Sequence, residues 1–175
     1  MPGMVQCARP MEKTLQILNA LERDGVINRY AIGGAMGATF YAEPVLTFDL
    51  DIFVILPQAA GTLLTLTPLY ETLRRQGYTE EGECVSIEGV PVQFLPAYNA
   101  LLQEALGEAR DTIYEQTPTR VLRAEHLVAI AVQTGRTKDR QRVQLLLEQA
   151  PLDHEYLAGV LARHGLEATW NQWTT

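Results

Sequence analysis

Residues 30–56 read YAIGGAMGATFYAEPVLTFDLDIFVIL, and this stretch decides the fold. Tyr30, Ala31 and Ile32 form a short apolar run that enters Gly33-Gly34, and residues 35–41 are mostly small, suiting a helix packed close to a sheet. Past Glu43-Pro44, residues 47–56 alternate Asp49 and Asp51 against Leu50 and Ile52, the period of a strand. The run closes on Phe53, Val54, Ile55 and Leu56, an uninterrupted apolar half expected to be fully buried. Strand, glycine turn, helix and second strand are therefore expected in that order.

The chemistry of the stretch lies in its exceptions to apolarity. Alternate residues of a strand share a face, so Asp49 and Asp51 present two carboxylates to one point, their Cα atoms about 7 Å apart. Burying a lone carboxylate is costly, whereas a divalent cation between two of them turns repulsion into coordination, and Mg²⁺ is the natural ion for hard oxygen donors. A solvated sheet edge, or pairing of both acids with arginines, would serve as well. Gly33-Gly34, ending a strand just before a helix, offers backbone N–H groups to a phosphate, although a tight turn or close helix–sheet packing uses the same residues. The stretch lacks G-x-G-x-x-G spacing and the chain holds no G-x-x-x-x-G-K-[ST], which speaks against dinucleotide and P-loop folds.

Working outward, Met11, Leu15, Leu18 and Leu21 fall at helical intervals and predict a helix over 11–23, with Gly25 as its C-terminal cap. Leu63, Leu66, Tyr70 and Leu73 predict another, ending near Gly77. Residues 84–87 and 90–95 read as a hairpin turning at Glu88-Gly89, with Pro91 near a strand end. Beyond Pro96 the pattern is mainly helical, over 97–106, 124–133, 138–149 and 153–164, with Asp153 as an N-cap. The uncharged run 52–70 is interrupted by Pro57, Gln58, Gly61 and Pro68, so it reads as strand, turn and helix and not as a membrane span.

The chain has 175 residues, 47% hydrophobic and 20% charged, a globular composition of one domain's length. One domain is expected, with an α/β core over 1–96 and a helical part over 97–175 packed on it. A net charge of −7 argues against a surface that grips nucleic acid or anionic lipid throughout. Cys7 and Cys84 have no framework or metal spacing and read as free buried thiols. His126, His154 and His164 form no zinc pattern and read as surface or interhelix residues, while the one serine, Ser86, sits in a strand without a nucleophile elbow. Trp170 and Trp173 are either a packing clasp or a partner surface. The N-terminus carries no export signal, so a cytoplasmic location is the default expectation.

Ile32-Gly33-Gly34, then Asp49-Leu50-Asp51 fifteen residues on from Gly34, then an apolar strand, resembles the active-site signature of the nucleotidyltransferase superfamily of DNA polymerase β type. Thr47, Glu43-Pro44, the small size and the helical second half resemble its abortive-infection (AbiEii-type) toxin branch. The resemblance implies an α+β fold, a small mixed sheet flanked by helices. It implies Mg²⁺-dependent transfer of a nucleotidyl group from a nucleoside triphosphate to a hydroxyl acceptor. Gly33, Gly34 and Thr47 would then hold the nucleotide, and Asp49 and Asp51 would be catalytic metal ligands.

The family's third-acid strand resembles Val92-Gln93-Phe94-Leu95-Pro96, where the neutral Gln93 takes the acid's place. Its amide oxygen can join Asp49 and Asp51 as a metal ligand, but it cannot take a proton from the attacking hydroxyl. Glu88 is the nearest compensating acid and, as a charged turn residue, is read as solvated. Residues 136–142 resemble the family's basic helix, with Lys138 and Asp139 toward the nucleotide, although Arg142 and an apolar stretch occupy two other expected polar places. Asp139 precedes Val143 and Leu146 on the inward edge of that helix, with Arg142 as its cheapest partner. Between 119 and 142 stand six basic residues and two acids, a local +4 that leaves −11 elsewhere. That asymmetry suits a triphosphate or RNA clamp, or a solvated helix face. Two functions follow: an enzyme acting on a nucleoside triphosphate and an RNA, protein or small-molecule hydroxyl, or a catalytically degenerate binding module, such as one half of a toxin–antitoxin-like pair with a partner protein.

Overall fold

The computed structural model describes residues 5–44, 47, 49–57 and 64–175, with side chains from residue 11 onward. Its centre is a seven-stranded mixed sheet in the order β3-β4-β5-β2-β1-β7-β6. Helix α1 (Val5–Arg23) leads into β1 (Arg29–Ile32), α2 (Gly34–Ala38) and β2 (Leu50–Ile55), the expected strand–turn–helix–strand order. Next come α3 (Thr67–Arg75), β3 (Thr79–Glu81), β4 (Cys84–Ile87) and β5 (Val90–Pro96). The helix α4 (Ala100–Gly107), the hairpin β6 (Arg110–Tyr114) and β7 (Thr117–Val121), and the helices α5 (Ala124–Thr134), α6 (Thr137–Gln149), α7 (His154–Arg163) and α8 (Glu167–Thr174) complete the chain. Strand β2 runs antiparallel to β1 and parallel to β5, and β7 lies parallel to β1. Among the described residues no helix is long and apolar enough to cross a membrane.

Period-two alternation sorts the sheet's side chains onto two cores. Leu50, Ile52 and Val54 of β2 join Val92 and Phe94 of β5 in a cluster with Leu15, Leu18, Leu69 and Leu73, under α1 and α3. Phe53 and Leu95 turn to the other face and pack with Leu102, Leu127, Val128 and Leu146 from α4, α5 and α6. Asp51 and Gln93 share that second parity, so the sheet aims them toward the helical half. The expected caps form: Gly25, at φ +77°, receives the end of α1, and Asp153 accepts from the Tyr156 N–H at 3.0 Å.

Several expectations are corrected. Strand β2 starts at Leu50, so Asp49 lies just before it, and Thr47 is outside the strand as well. Helix α3 starts at Thr67, later than Leu63, which lies outside the described residues. No element was expected between 106 and 124, yet β6 and β7 form there and β7 closes on β1 through Ile32 and Val121. Cys84 is half-buried instead of fully buried; the side chain of Cys7 lies outside the described set. Trp170 and Trp173 sit on α8 and pack against the helical core, the clasp of the two readings.

Candidate functional site

Two carboxylates and three cations face one another across a cleft of about 610 Å³. The sheet wall supplies Asp49, Asp51 and Gln93; Ala35 and Ala38 of α2 form the floor; Arg136, Lys138 and Arg142 come from the start of α6. Each position follows from local structure. Parallel pairing of β2 with β5 sets Asp51 directly beside Gln93. The turn into α2 brings Gly34 so near Asp51 that a Cβ at 34 would stand 2.0 Å from Oδ2, and Gly34 itself sits at φ +59°. At Gly33 a Cβ would strike the Phe53 ring at 2.3 Å, and its N–H donates to the Asp51 carbonyl at 2.9 Å. The paired glycines thus serve close approach of the turn to β2, and neither lines this cleft.

Burial pushes the Asp51 carboxyl above its ordinary value, Arg142 pulls it back, and the neighbouring Asp49 carboxylate raises it further. Asp49 is exposed at the rim; burial and the Asp49 carboxylate together push the nearby Cys84 thiol up. Thr47 also lines the cleft, although its hydroxyl donates to the Asp49 carbonyl at 3.2 Å.

On the opposite wall Asp139 is 1% exposed and occupies the cap of α6. It accepts from the backbone and guanidinium of Arg136, the latter at 2.7 Å, and from Arg142 at 3.3 Å. The expected Arg142 partner is present, and Arg136, which the sequence did not single out as a partner, is the tighter one. Asp139 therefore faces arginines and fixes two of the cleft's cations, whereas Lys138 lines the cleft directly.

The basic stretch 119–142 divides in space. Arg120 pairs with Glu22 at 2.8 Å, Arg123 stacks over the Tyr156 ring at 4.0 Å, and Arg140 lies over Trp173 at 5.2 Å. Arg136, Lys138 and Arg142 alone of the six line the cleft, so the positive charge there is compact and not spread along the whole stretch. Glu88 accepts from the Tyr78 hydroxyl at 2.8 Å on an exposed turn and is not among the cleft's lining, in keeping with the solvated reading. His126 is fully buried between helices, 3.3 Å from Glu104.

Among the described residues no three His, Cys, Asp or Glu side chains converge as a metal cluster. The available donors are two carboxylates and an amide. Gln93 donates through Nε2 to Glu83 at 3.3 Å, so its oxygen is the atom left for the cleft. Oxygen donors around a desolvated anion suit a hard divalent cation such as Mg²⁺. A smaller cavity of about 240 Å³ adjoins the first, shares Asp51, Leu95, Arg136 and Arg142 with it, and is otherwise lined mainly by apolar residues such as Phe53 and Ile130.

Known structures with a similar fold match over nearly the whole chain. The crystal structure of ANT(2'')-Ia in complex with adenylyl-2''-tobramycin matches with a TM-score of 0.53 and 16% identity, covering 97% of this chain and 99% of that one. The solution structure of the antibiotic-resistance factor ANT(2'')-Ia matches at 0.54 and 15%, covering 96% of each chain. An antigenic nucleotidyltransferase-like protein from Paracoccidioides brasiliensis matches at 0.52 and 12%, covering 90% of this chain and 91% of its own. No family model matches the sequence, and no curated protein matches it. At these identities the likeness is one of fold: the chain shares its α+β architecture with these structures.

Proposed function

We propose that this nucleotidyltransferase-type fold binds a Mg²⁺–nucleoside triphosphate and transfers its nucleotidyl group to a hydroxyl acceptor. The observation that carries the reading is the bipolar cleft: Asp49 and Asp51 on the sheet face Arg136, Lys138 and Arg142 on α6. A triphosphate bridging the walls places its anionic oxygens against the three cations. Asp49, Asp51 and the Gln93 oxygen would hold the cation, whose chemistry is to neutralise charge developing on the phosphates. Asp139 keeps Arg136 and Arg142 in place by its hydrogen bonds, so these donors are held before any ligand arrives.

The acceptor enters from the adjoining apolar cavity, which shares Asp51 with the nucleotide cleft. Its lining favours a small, largely apolar molecule with a hydroxyl over an RNA, since the cations of 119–142 outside the cleft are engaged elsewhere. A single observation, Gln93 beside Asp51, favours a second reading in which the chain binds nucleotide without turning it over, as a regulatory module or one half of a toxin–antitoxin-like pair. The resemblance to the AbiEii-type branch, carried by Thr47, Glu43-Pro44 and the helical second half, goes with either reading.

Calorimetric titration of MgATP, MgGTP, MgCTP and MgUTP into the wild type and Asp51→Asn tests the site. Binding of at least one nucleotide, lost in Asp51→Asn, is expected; silence with all four in the wild type refutes both readings. Labelled-nucleotide transfer to any acceptor then separates enzyme from binding module.

A further inference from the structure

The hairpin before β5 touches the donor set at two adjacent residues. Pairing of β4 with β5 matches Ile87 with Val90, Ser86 with Pro91 and Val85 with Val92. One step further the ladder brings Cys84 level with Gln93, and the turn residue Glu83 follows. Glu83 accepts a hydrogen bond from Gln93 Nε2 at 3.3 Å, and the Cys84 thiol lies near enough to Asp49 to feel its carboxylate. Gln93 in turn lies beside Asp51 in the parallel β2–β5 ladder. One turn therefore reaches behind both strands that face the cleft.

An amide bound at its nitrogen by a carboxylate is polarised, its oxygen gaining negative character, and it is fixed so that this oxygen points away from the carboxylate. From this geometry we infer that Glu83 is a positioning residue for the cation: it holds Gln93 by the nitrogen and turns a strengthened oxygen ligand into the cleft. The inference rests on the nucleotide–cation reading of the cleft. The pair takes over what a strand carboxylate would supply, dividing it between an amide that touches the ligand and a carboxylate one side chain behind. Glu83 is exposed on a turn, so its replacement leaves the core intact.

The test uses Mn²⁺ as the probe, its affinity read from the loss of the free-ion electron paramagnetic resonance signal, with the full chain and α,β-methylene ATP present. Affinity for the analogue without metal is measured alongside. The wild type binds Mn²⁺, Asp51→Asn does not, and Glu83→Ala weakens Mn²⁺ by about tenfold, the lower end for outer-shell partners, with metal-free analogue affinity within twofold. Gln93→Asp removes the dependence, so that adding Glu83→Ala to it costs less than twofold. Glu83→Ala within twofold of the wild type overturns the inference while leaving the cleft reading in place. An equal loss from Glu83→Ala in the Gln93→Asp background overturns it too, because Glu83 would then act without Gln93. Mn²⁺ affinity unchanged in Asp51→Asn overturns the cleft reading and this inference together.

Discussion

Asp51 is the residue at which sequence pattern and energetics collide. It interrupts a strand whose neighbours Leu50 and Ile52 are buried, and Gly34 leaves no room for any larger residue against it. Its carboxyl is held above the ordinary value, chiefly by burial, so the folded state binds its proton more tightly than the unfolded state does. Stability from this group is thus greatest at low pH and falls as pH rises through the folded value, which leaves the ionised side chain unfavourable at neutral pH. Asp51→Asn keeps the shape and removes the charge. It is expected to raise the melting midpoint at pH 7 while nucleotide binding is lost, each 1 kcal/mol relieved being worth about 2–4 °C for a chain of this size. A lowered midpoint in differential scanning calorimetry would make Asp51 a structural anchor instead of a ligand-binding acid. The two aspartates and the glycines were legible because a charge in an apolar strand and a glycine pair at its neighbour's end are local signals. Glu83 was not, because counting back from the Glu88-Gly89 turn sets Cys84 level with Gln93 and leaves Glu83 one residue beyond, in a turn.

At the scale of elements, legibility followed the strength of the apolar pattern. Helices α5, α6 and α7 and strands β2, β4 and β5 carry a strong apolar pattern, and their positions could be read within a few residues, whereas α1 begins at Val5, well ahead of the expected Met11. Strands β6 and β7 were missed because RDTIY and TPTRV carry few apolar residues and a proline, and owe their conformation to pairing with each other and with β1. Strand β3 is three exposed residues, TEE, formed by its register with β4. Helix docking in the second half depends on polar contacts that no periodicity reveals. Glu104 of α4 accepts from His164 at 2.8 Å and Arg163 at 2.7 Å, and lies 3.3 Å from His126 of α5. Burial alone would raise Glu104, but hydrogen bonds from His164, Arg163 and His126 outweigh it and hold the carboxyl below the usual range. A lowered carboxyl gives stability that is present above its unfolded value and disappears as pH falls through the folded one. Burial also lowers His126, whose neutral form the fold prefers, so its contribution likewise declines on acidification below about 6.5, the unperturbed histidine value. In the Asp51→Asn background, which removes the opposite trend of Asp51, the melting midpoint is therefore expected to fall from pH 7 to pH 4, and adding Glu104→Gln to flatten the lower part of that fall. A profile identical with and without Glu104→Gln would remove Glu104 from the account of how α4 docks on α7.

For the whole molecule, the decisive property is that the two walls of the cleft come from different parts of the chain. The acids ride on or just before β2 of the central sheet and the cations on α6, which packs on α5 and α2. A ligand that binds both walls stabilises their packing, whereas one held by either wall alone leaves the other free. By mass action, a nucleotide at about 100 times its dissociation constant adds about 2.7 kcal/mol to stability, which corresponds to a rise of about 5–10 °C in midpoint. MgATP, or whichever nucleotide binds most tightly, is expected to give a shift of that size in the wild type. The ligand-induced shift, measured against each variant's own midpoint, should be lost both in Asp51→Asn on the sheet and in Arg142→Ala on α6. Because Arg142 also pairs with Asp139, the unliganded midpoint of Arg142→Ala falls on its own account, and only the shift reports on the ligand. Loss in Asp51→Asn with full retention in Arg142→Ala would confine the nucleotide to the sheet wall, and the basic end of α6 would then be an internal cap serving Asp139 and nothing in the cleft.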